Sequence, residues 1–335
     1  MVNGHLYAYP PTCNNNTDPF HVFIVTENKS TIYRGRFAPS PTGPLHFGSL
    51  VAAVGSYLDA RANQGEWLVR IENIDTPREI PGASRDILML LEKLGMYWDG
   101  EVVYQRERHA LYHEALAMLE KQNLTYACTC SRREIADSSI VGIEGPVYPG
   151  TCRNTSQRPN SPYRQNRQRA VRVRTNNRPV AFTDAVQGYV MQRIGKAIGD
   201  FVLHRADGIF AYQLAVVVDD AAQAITHVVR GADLLNSTPR QMYLQQLLGY
   251  ATPAYMHLPV VTNTQGEKLS KQTFAAPVAQ FNVSFQLVSA LRFLGQSPPD
   301  DLLDNNLETF WHWAIAHWNP ANITATGIRQ PDCIT

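Results

Sequence analysis

The 335-residue chain contains no apolar run approaching the roughly 20 residues needed to cross a bilayer. Its first 33 residues have neither the basic stretch nor the apolar core of a secretory leader. A cytoplasmic location is the resulting expectation. Charge is scarce and balanced: charged residues make up 18% and the formal net charge is +1. Global attraction to nucleic acid or membrane is therefore not expected, and any such surface must be local. Cysteine is sparse too. Five residues, an odd number with three gathered at 128, 130 and 152, favour a metal site over a disulfide framework. Internal repeats and low-complexity segments are absent. What remains is ordinary globular material: apolar residues at 44% suit a sizeable core in one large domain or two to three ordinary ones.

Residues 1–33, rich in Asn, Tyr, Pro and Thr, form an irregular extension with no period. A short buried strand is predicted over 34–38. Apolar residues at helical spacing (Leu50, Val51, Val54, Leu58) predict a helix from Leu45 to Gly65, with Gly65 as its cap. A strand follows at Glu66 to Glu72. A helix then runs from Ser84 to Leu94, with Ser84 as N-cap and Gly95 as stop, and another from Arg108 to Gln122. This order predicts an α/β fold, a doubly wound parallel sheet of Rossmann type, whose first half covers 34–126. Residues 127–200 are turn-rich and cysteine-bearing, and read as an insertion. Strands are predicted over Phe201 to Asp220 and His227 to Arg230 and a helix over Thr238 to Leu248, making 201–262 the second half. The remainder, 263–335, holds a lysine loop and two short helices, Phe285 to Leu294 and Leu307 to Trp318.

Two separated segments carry chemistry. Arg36-Phe-Ala-Pro-Ser-Pro-Thr-Gly-Pro-Leu-His-Phe-Gly48 spans a strand end, a Pro/Gly-rich turn and a helix start. In such a sheet, ligands bind beyond the strand's carboxyl end. The helix start offers unpaired N–H groups and partial positive charge to phosphate. Gly43 and Gly48 permit close backbone approach, and His46 can donate to a phosphate oxygen. The plainer alternative is a proline-rich turn with a capping histidine. Lys268-Leu-Ser-Lys-Gln272 follows Gly266, a hinge that lets Lys268 and Lys271 swing over a triphosphate and stabilise charge growing on the α-phosphate. Alone, that pentamer equally describes an exposed turn with two solvated lysines. The two segments, in this order, specify a nucleotide site closed from two sides.

In these segments, and in Arg70-Ile-Glu72-Asn-Ile-Asp75 and Val229-Arg-Gly-Ala-Asp-Leu-Leu235, the chain resembles class I aminoacyl-tRNA synthetases of the glutamyl type over roughly residues 34–295. His46-Phe-Gly48 corresponds to that family's HIGH signature and Lys268-Leu-Ser-Lys271 to its KMSKS loop. The resemblance implies ATP contacts by His46, Gly48, Lys268, Ser270 and Lys271, with His46 and Lys271 catalytic and Mg2+ accompanying ATP. The Leu45-His-Phe-Gly-Ser-Leu50 wording, the Ala215-Val-Val-Val-Asp-Asp220 run and the length point to the short paralogues, the glutamyl-Q tRNA(Asp) synthetases. Only 64 residues follow Lys271, too few for the helical domain with which full glutamyl enzymes grip the anticodon. The paralogue family activates L-glutamate without tRNA and then transfers it to the queuosine base in the anticodon loop of tRNA(Asp). Alternatives are a truncated glutamyl enzyme charging the tRNA 3′ end, and a non-catalytic zinc- and RNA-binding relative. A generic nucleotidyltransferase fits less well, because Ser49 stands where such enzymes carry a second histidine.

Glutamate needs cationic donors for two carboxylates and a carboxylate for its amine. Arg36 and Arg230, at strand ends, suit bidentate carboxylate pairing. Glu72 suits the ammonium, and Tyr212 can donate its hydroxyl. The resemblance places all four at substrate positions and adds Ala38 and Ser40. Structural ion pairing by the arginines, and core packing of Tyr212, are the competing readings. Asn73 stands where relatives usually carry Asp, which slightly weakens the local negative charge.

Cys128, Cys130 and Cys152 supply three of the four ligands that tetrahedral zinc wants. Glu134, Asp137, Glu144, Tyr148 or a distant cysteine could be the fourth; the resemblance selects Tyr148. The resulting zinc is structural, one per chain. Eight arginines (153, 158, 164, 167, 169, 172, 174 and 178) follow, with no Asp or Glu between Glu144 and Asp184. This asymmetry suits phosphate contacts to tRNA, or a solvated loop and a charge-protected edge strand.

Overall fold

In the computed structural model, residues 32–154, 168–262, 278, 282–325 and 328–329 are described. The extension up to residue 31, Arg158, Arg164 and Arg167, and the whole lysine loop with Lys268, Ser270 and Lys271 lie outside the described residues.

Strand β1 (Arg34–Phe37) leads through the Pro/Gly-rich turn into α1 (Phe47–Ala62). The chain returns in β2 (Glu66–Ile71), parallel to β1, with Arg36 opposite Leu68. Helix α2 (Ala83–Lys93) connects β2 to β3 (Val103–Tyr104), again parallel. These are the β-α-β-α elements expected. Details differ at helix ends. Gln64, not Gly65, takes the left-handed backbone after α1, with φ of 54°. Gly65 is needed for space instead: a Cβ there would lie 2.4 Å from the Tyr33 carbonyl oxygen. Gly82 is the N-cap of α2, and the Ser84 hydroxyl turns to Glu79 instead.

Helix α3 (His109–Lys121) ends the first half. The stretch expected to be an insertion holds β4 (Thr125–Cys128), which starts just before it, α4 (Arg132–Ser138) and a small hairpin of β5 (Val141–Gly142) and β6 (Gly145–Pro146). Strand β7 (Ala170–Val173) lies antiparallel between β4 and β10 (Val202–His204). Before β10 come the hairpin of β8 (Val180–Asp184) and β9 (Gly188–Gln192) and the one-turn helix α5 (Ile194–Ala197).

The second half departs from expectation. Within Phe201 to Asp220 only β10 is a strand; a turn follows, and from Tyr212 the chain is helical in α6 (Tyr212–Ala222). Seven consecutive residues of α6, Leu214 to Asp220, are buried. A helix buried all round shows no amphipathic period, and its three valines mimic a strand in sequence. β11 (His227–Gly231) then pairs in parallel with β12 (Ala254–Leu258) across α7 (Thr238–Leu248). Thr226 ties the start of β11 to β1, its N–H and hydroxyl engaging the Arg34 carbonyl and N–H. β13 (Val260–Val261), α8 (Val283–Phe293), α9 (Leu307–Ala316) and β14 (Ile328–Arg329) complete the described elements.

Two apolar clusters flank the parallel strands. Trp67, Val69 and Ile71 of β2 pack with α1, α2, α8 and α9. Val228 of β11 and Tyr255 of β12 pack on the other side with α3, α6 and α7. Helices on both faces leave the carboxyl ends of the strands as the open edge, where a doubly wound sheet binds ligands. Among the described residues, no helix is long and apolar enough to cross a membrane.

Candidate active site and cysteine cluster

A cavity of about 460 Å³ opens at the carboxyl ends of β1, β2 and β11. Arg36, Ala38, Ser40, His46, Gly48, Glu72, Tyr212 and Arg230 all line it, with Asn73 and Ser49. Every expected glutamate residue, and both expected ATP residues among the described ones, thus share one wall. The turn after β1 is shaped for this. Gly43 has φ of 135°, a conformation that L side chains rarely adopt. His46 is the N-cap of α1: its Nδ1 accepts the Ser49 N–H at 3.3 Å, and its Nε2 lies 3.2 Å from the Ser49 hydroxyl. Capping histidine and phosphate-facing histidine are therefore compatible roles, because accepting at Nδ1 leaves the proton on Nε2.

The charged residues are held by partners that sequence inspection did not reveal. Arg36 forms a buried ion pair with Asp220 at 3.2 Å, and Arg70 reaches the same carboxylate at 2.8 Å. Beneath them Asp219 accepts from Gln105, Arg108 and Tyr112. Glu72 lies 3.4 Å from Arg70. Burial pushes the Glu72 carboxyl above its ordinary range, against the pull of Arg70 and Arg36; an incoming ammonium would favour its ionised form. Burial and then Glu72 raise the Tyr212 phenol, so it keeps its proton and can donate. Asn73 is buried, accepting the Arg106 N–H and donating to Glu79. It pins the loop as well as changing the charge.

Arg230 is gripped from behind. Its Nε–H donates to His257 Nε2 at 3.1 Å, and its Nη2 to Thr238 and Gln241 at 2.8 Å each. Its Nη1 has no partner among the described residues. His257 Nδ1 lies 2.6 Å from Asp184. Neither Asp184 nor His257 belongs to a readable motif. The only hint is that Asp184 ends the acid-free stretch.

In the inserted region, the Cys128, Cys130 and Cys152 sulfurs lie within 4.8 Å of one another. Cys130 and Cys152 are 3.5 Å apart. Zinc bonds of the usual length in a tetrahedron would set sulfurs about 3.8 Å apart, so the spacing fits. The Tyr148 hydroxyl sits 3.4 Å from Cys128 Sγ and 3.9 Å from Cys130 Sγ. The acidic candidates have other partners: Glu134 accepts the Ser131 N–H, Asp137 pairs with Arg133 and Glu144 with Arg240; the distant cysteines, Cys13 and Cys333, lie outside the described residues. Burial pushes the Cys130 thiol up to about 12. Burial acts the same way on Cys152, but the Thr129 N–H and the Cys130 thiol bring it down to about 7.

The arginine run divides. Arg172 is buried with its guanidinium 3.9 Å from the Tyr148 ring centre and donates to the Asp200 carbonyl. Arg153 pairs with Asp200 at 2.9 Å, and Arg174 donates to the Arg153 carbonyl. These three brace the cysteine region. Arg169 and Arg178 are exposed.

Known proteins extend this picture. The family described as tRNA synthetases class I (E and Q), catalytic domain, matches residues 33–300. A glutamyl-Q tRNA(Asp) synthetase from Dechloromonas aromatica is 57% identical, covering 85% of this chain and 94% of its own. Those from Aromatoleum aromaticum and Chromobacterium violaceum are 54% and 51% identical, covering 87% and 90% of this chain and 90% and 99% of theirs. Among solved structures, a glutamate-tRNA synthetase from Elizabethkingia anophelis superposes with a TM-score of 0.73 at 25% identity, covering 89% of this chain and 68% of that one.

Proposed function

The chain belongs to the glutamyl-Q tRNA(Asp) synthetases, within the class I catalytic-domain family, and from that premise we propose that it activates L-glutamate with ATP and transfers the glutamyl group to queuosine of tRNA(Asp). One observation carries the amino-acid half: two buried arginines, Arg36 and Arg230, stand with Glu72 and Tyr212 around one cavity. That set matches two carboxylates and one ammonium.

Arg36 and Arg230 bind the carboxylates, Glu72 the ammonium, and the Tyr212 hydroxyl donates to the bound amino acid, beside Ala38 and Ser40. Glutamine is disfavoured because its neutral amide leaves a buried arginine poorly paired. The glutamate α-carboxylate attacks the α-phosphate of Mg2+-bound ATP; the bond to the β-phosphate breaks, releasing pyrophosphate and leaving glutamyl-adenylate. His46, at the start of α1, donates Nε2–H to the phosphate, with Gly48 leaving room for it. Lys268, Ser270 and Lys271 contribute contacts to the phosphates, and Lys271 stabilises the growing charge. A queuosine hydroxyl then attacks the acyl carbon and displaces AMP.

Cys128, Cys130 and Cys152, with the Tyr148 hydroxyl, would hold a structural zinc, which would cross-link this stretch of the chain. Arg169 and Arg178 are available to tRNA phosphate.

ATP–pyrophosphate exchange tests this function. Exchange with glutamate, not glutamine or aspartate, is expected without tRNA. Labelled glutamate should then attach to tRNA(Asp) carrying queuosine and not to an unmodified transcript. Charging of unmodified tRNA(Glu) at the 3′ end would replace the acceptor, and no exchange under any condition would remove the activity.

A further inference from the structure

Arg230 carries five N–H groups, and the fold accounts for three. Nε–H goes to His257 Nε2, and the two Nη2 protons go to Thr238 Oγ1 and Gln241 Oε1. Nη1 is buried, without a partner among the described residues, on a side chain only 5% exposed that lines the cavity. Leaving a charged donor unsatisfied is costly unless a ligand completes it.

The grip depends on one tautomer. An imidazole nitrogen can accept the Arg230 Nε–H only if it carries no proton. Asp184 determines this. Its Oδ2 lies 2.6 Å from His257 Nδ1 and holds the proton there. Asp184 cannot turn away, because its Oδ1 accepts three backbone N–H groups, from Val186, Gln187 and His257. Both side chains are fully buried. Burial lowers the His257 pKa, the Arg230 charge opposes protonation, and Asp184 pulls the other way. The direction is towards neutral imidazole.

We infer that Asp184 and His257 are positioning residues for substrate selection: Asp184 fixes His257 with a bare Nε2, and His257 with Thr238 and Gln241 aims the Arg230 fork so that Nη1 meets a glutamate carboxylate. It rests on the proposed glutamate activity, and it adds a relay of two residues from β8 and β12 that never touch the amino acid. The same arrangement orients the base of hydrolytic triads, but here its output is the direction of a cation rather than a proton transfer.

Asp184→Asn is the informative change. The neutral amide conserves shape, and its NH2 in place of Oδ2 would donate to Nδ1. The proton would move to Nε2, where it would oppose the Arg230 Nε–H and turn to Thr238 Oγ1, 3.1 Å away, drawing that hydroxyl from its place in the Arg230 grip. His257→Gln, by contrast, places an amide oxygen near the position of Nε2 and keeps an acceptor. Glutamate-dependent exchange is expected to show, for Asp184→Asn, a glutamate KM raised about tenfold or more, the loss of one oriented charged hydrogen bond. The ATP KM should stay within about twofold, and His257→Gln should recover most of the glutamate KM. In the wild type, nitrogen-15 spectra of labelled histidine, with His257 identified by its loss in His257→Gln, should show a protonated Nδ1 and bare Nε2. A protonated Nε2, or glutamate and ATP KM values that rise together, would overturn the relay even if the wild type activates glutamate. Wild type inactive towards glutamate would instead overturn the activity itself, and the spectra still decide the tautomer without it.

Discussion

Arg36 and Asp220 are 184 positions apart in sequence and form a buried pair, Nε to Oδ1 at 3.2 Å and Nη2 to Oδ2 at 3.5 Å. The pair joins β1 to α6, with Arg36 lining the cavity and Asp220 behind it. Asp220 also holds Arg70, so one carboxylate serves two buried guanidinium groups. Asp220→Asn should therefore destabilise the protein by about 3 kcal/mol, because buried Arg36 loses its counter-charge and Arg70, though still beside Glu72 and Asp219, loses its nearest one. Urea unfolding measures this; an unchanged midpoint would mean that the pair is dispensable.

Glu72→Gln keeps the size of the side chain and removes the charge for the substrate ammonium. We expect the glutamate KM to rise by about tenfold with the ATP KM little changed. An unchanged glutamate KM would move the ammonium site away from Glu72.

Lys271→Ala should lower the rate of adenylate formation by about a hundredfold, the usual scale for removing one donor to a developing oxyanion. Near-normal pyrophosphate exchange would exclude the lysine loop from the chemistry.

Metal content tests the cysteine cluster. Purified protein should carry one zinc per chain, and Cys152→Ser should lose it. Tyr148→Phe should weaken its retention against a chelator, since only the hydroxyl approaches the sulfurs. Equal retention by Tyr148→Phe and wild type would assign the fourth position elsewhere.

Stability should fall in mild acid. Burial holds the folded His257 pKa below its ordinary value of 6.5; Asp184 pulls it up, and the charges of Arg230 and Arg36 push it down. As pH drops below 6.5 the unfolded chain binds a proton that the folded chain refuses, so this contribution is full above that pH and is lost below it. Asp184 also has a lowered pKa, because hydrogen bonds from His257 and Gln187 outweigh its burial; its contribution is lost only further down, below the ordinary carboxylate value of 3.8. The loss of stability between pH 7.5 and 5.5 should be smaller in His257→Gln. An equal loss in both proteins would place the acid sensitivity in other groups.

Much of the catalytic core was legible from local signals. Helical spacing gave α1, and the Pro/Gly turn with His46 gave the capped helix start that lines the cavity, since turn chemistry and capping act over a few residues. The Thr238 to Leu248 helix was read to the residue. Leu214 to Asp220 was misread because total burial erases the period on which such a reading depends. Ser84 was misread because its hydroxyl has another partner, Glu79.

By itself the sequence determined the residue types the site would need: two arginines, a glutamate, a tyrosine, the capping histidine and three clustered cysteines. Those types carry their chemistry wherever they are placed. Only the tertiary structure decided who faces whom. It put the Tyr148 hydroxyl, rather than the three acidic candidates, beside the sulfurs, set Arg153, Arg172 and Arg174 against the cysteine region, and put Asp220 under Arg36 and His257 behind Arg230. Those choices depend on contacts between positions tens to hundreds of residues apart. Burial makes each of them strong by stripping away water, and nothing in the local order of residues records it.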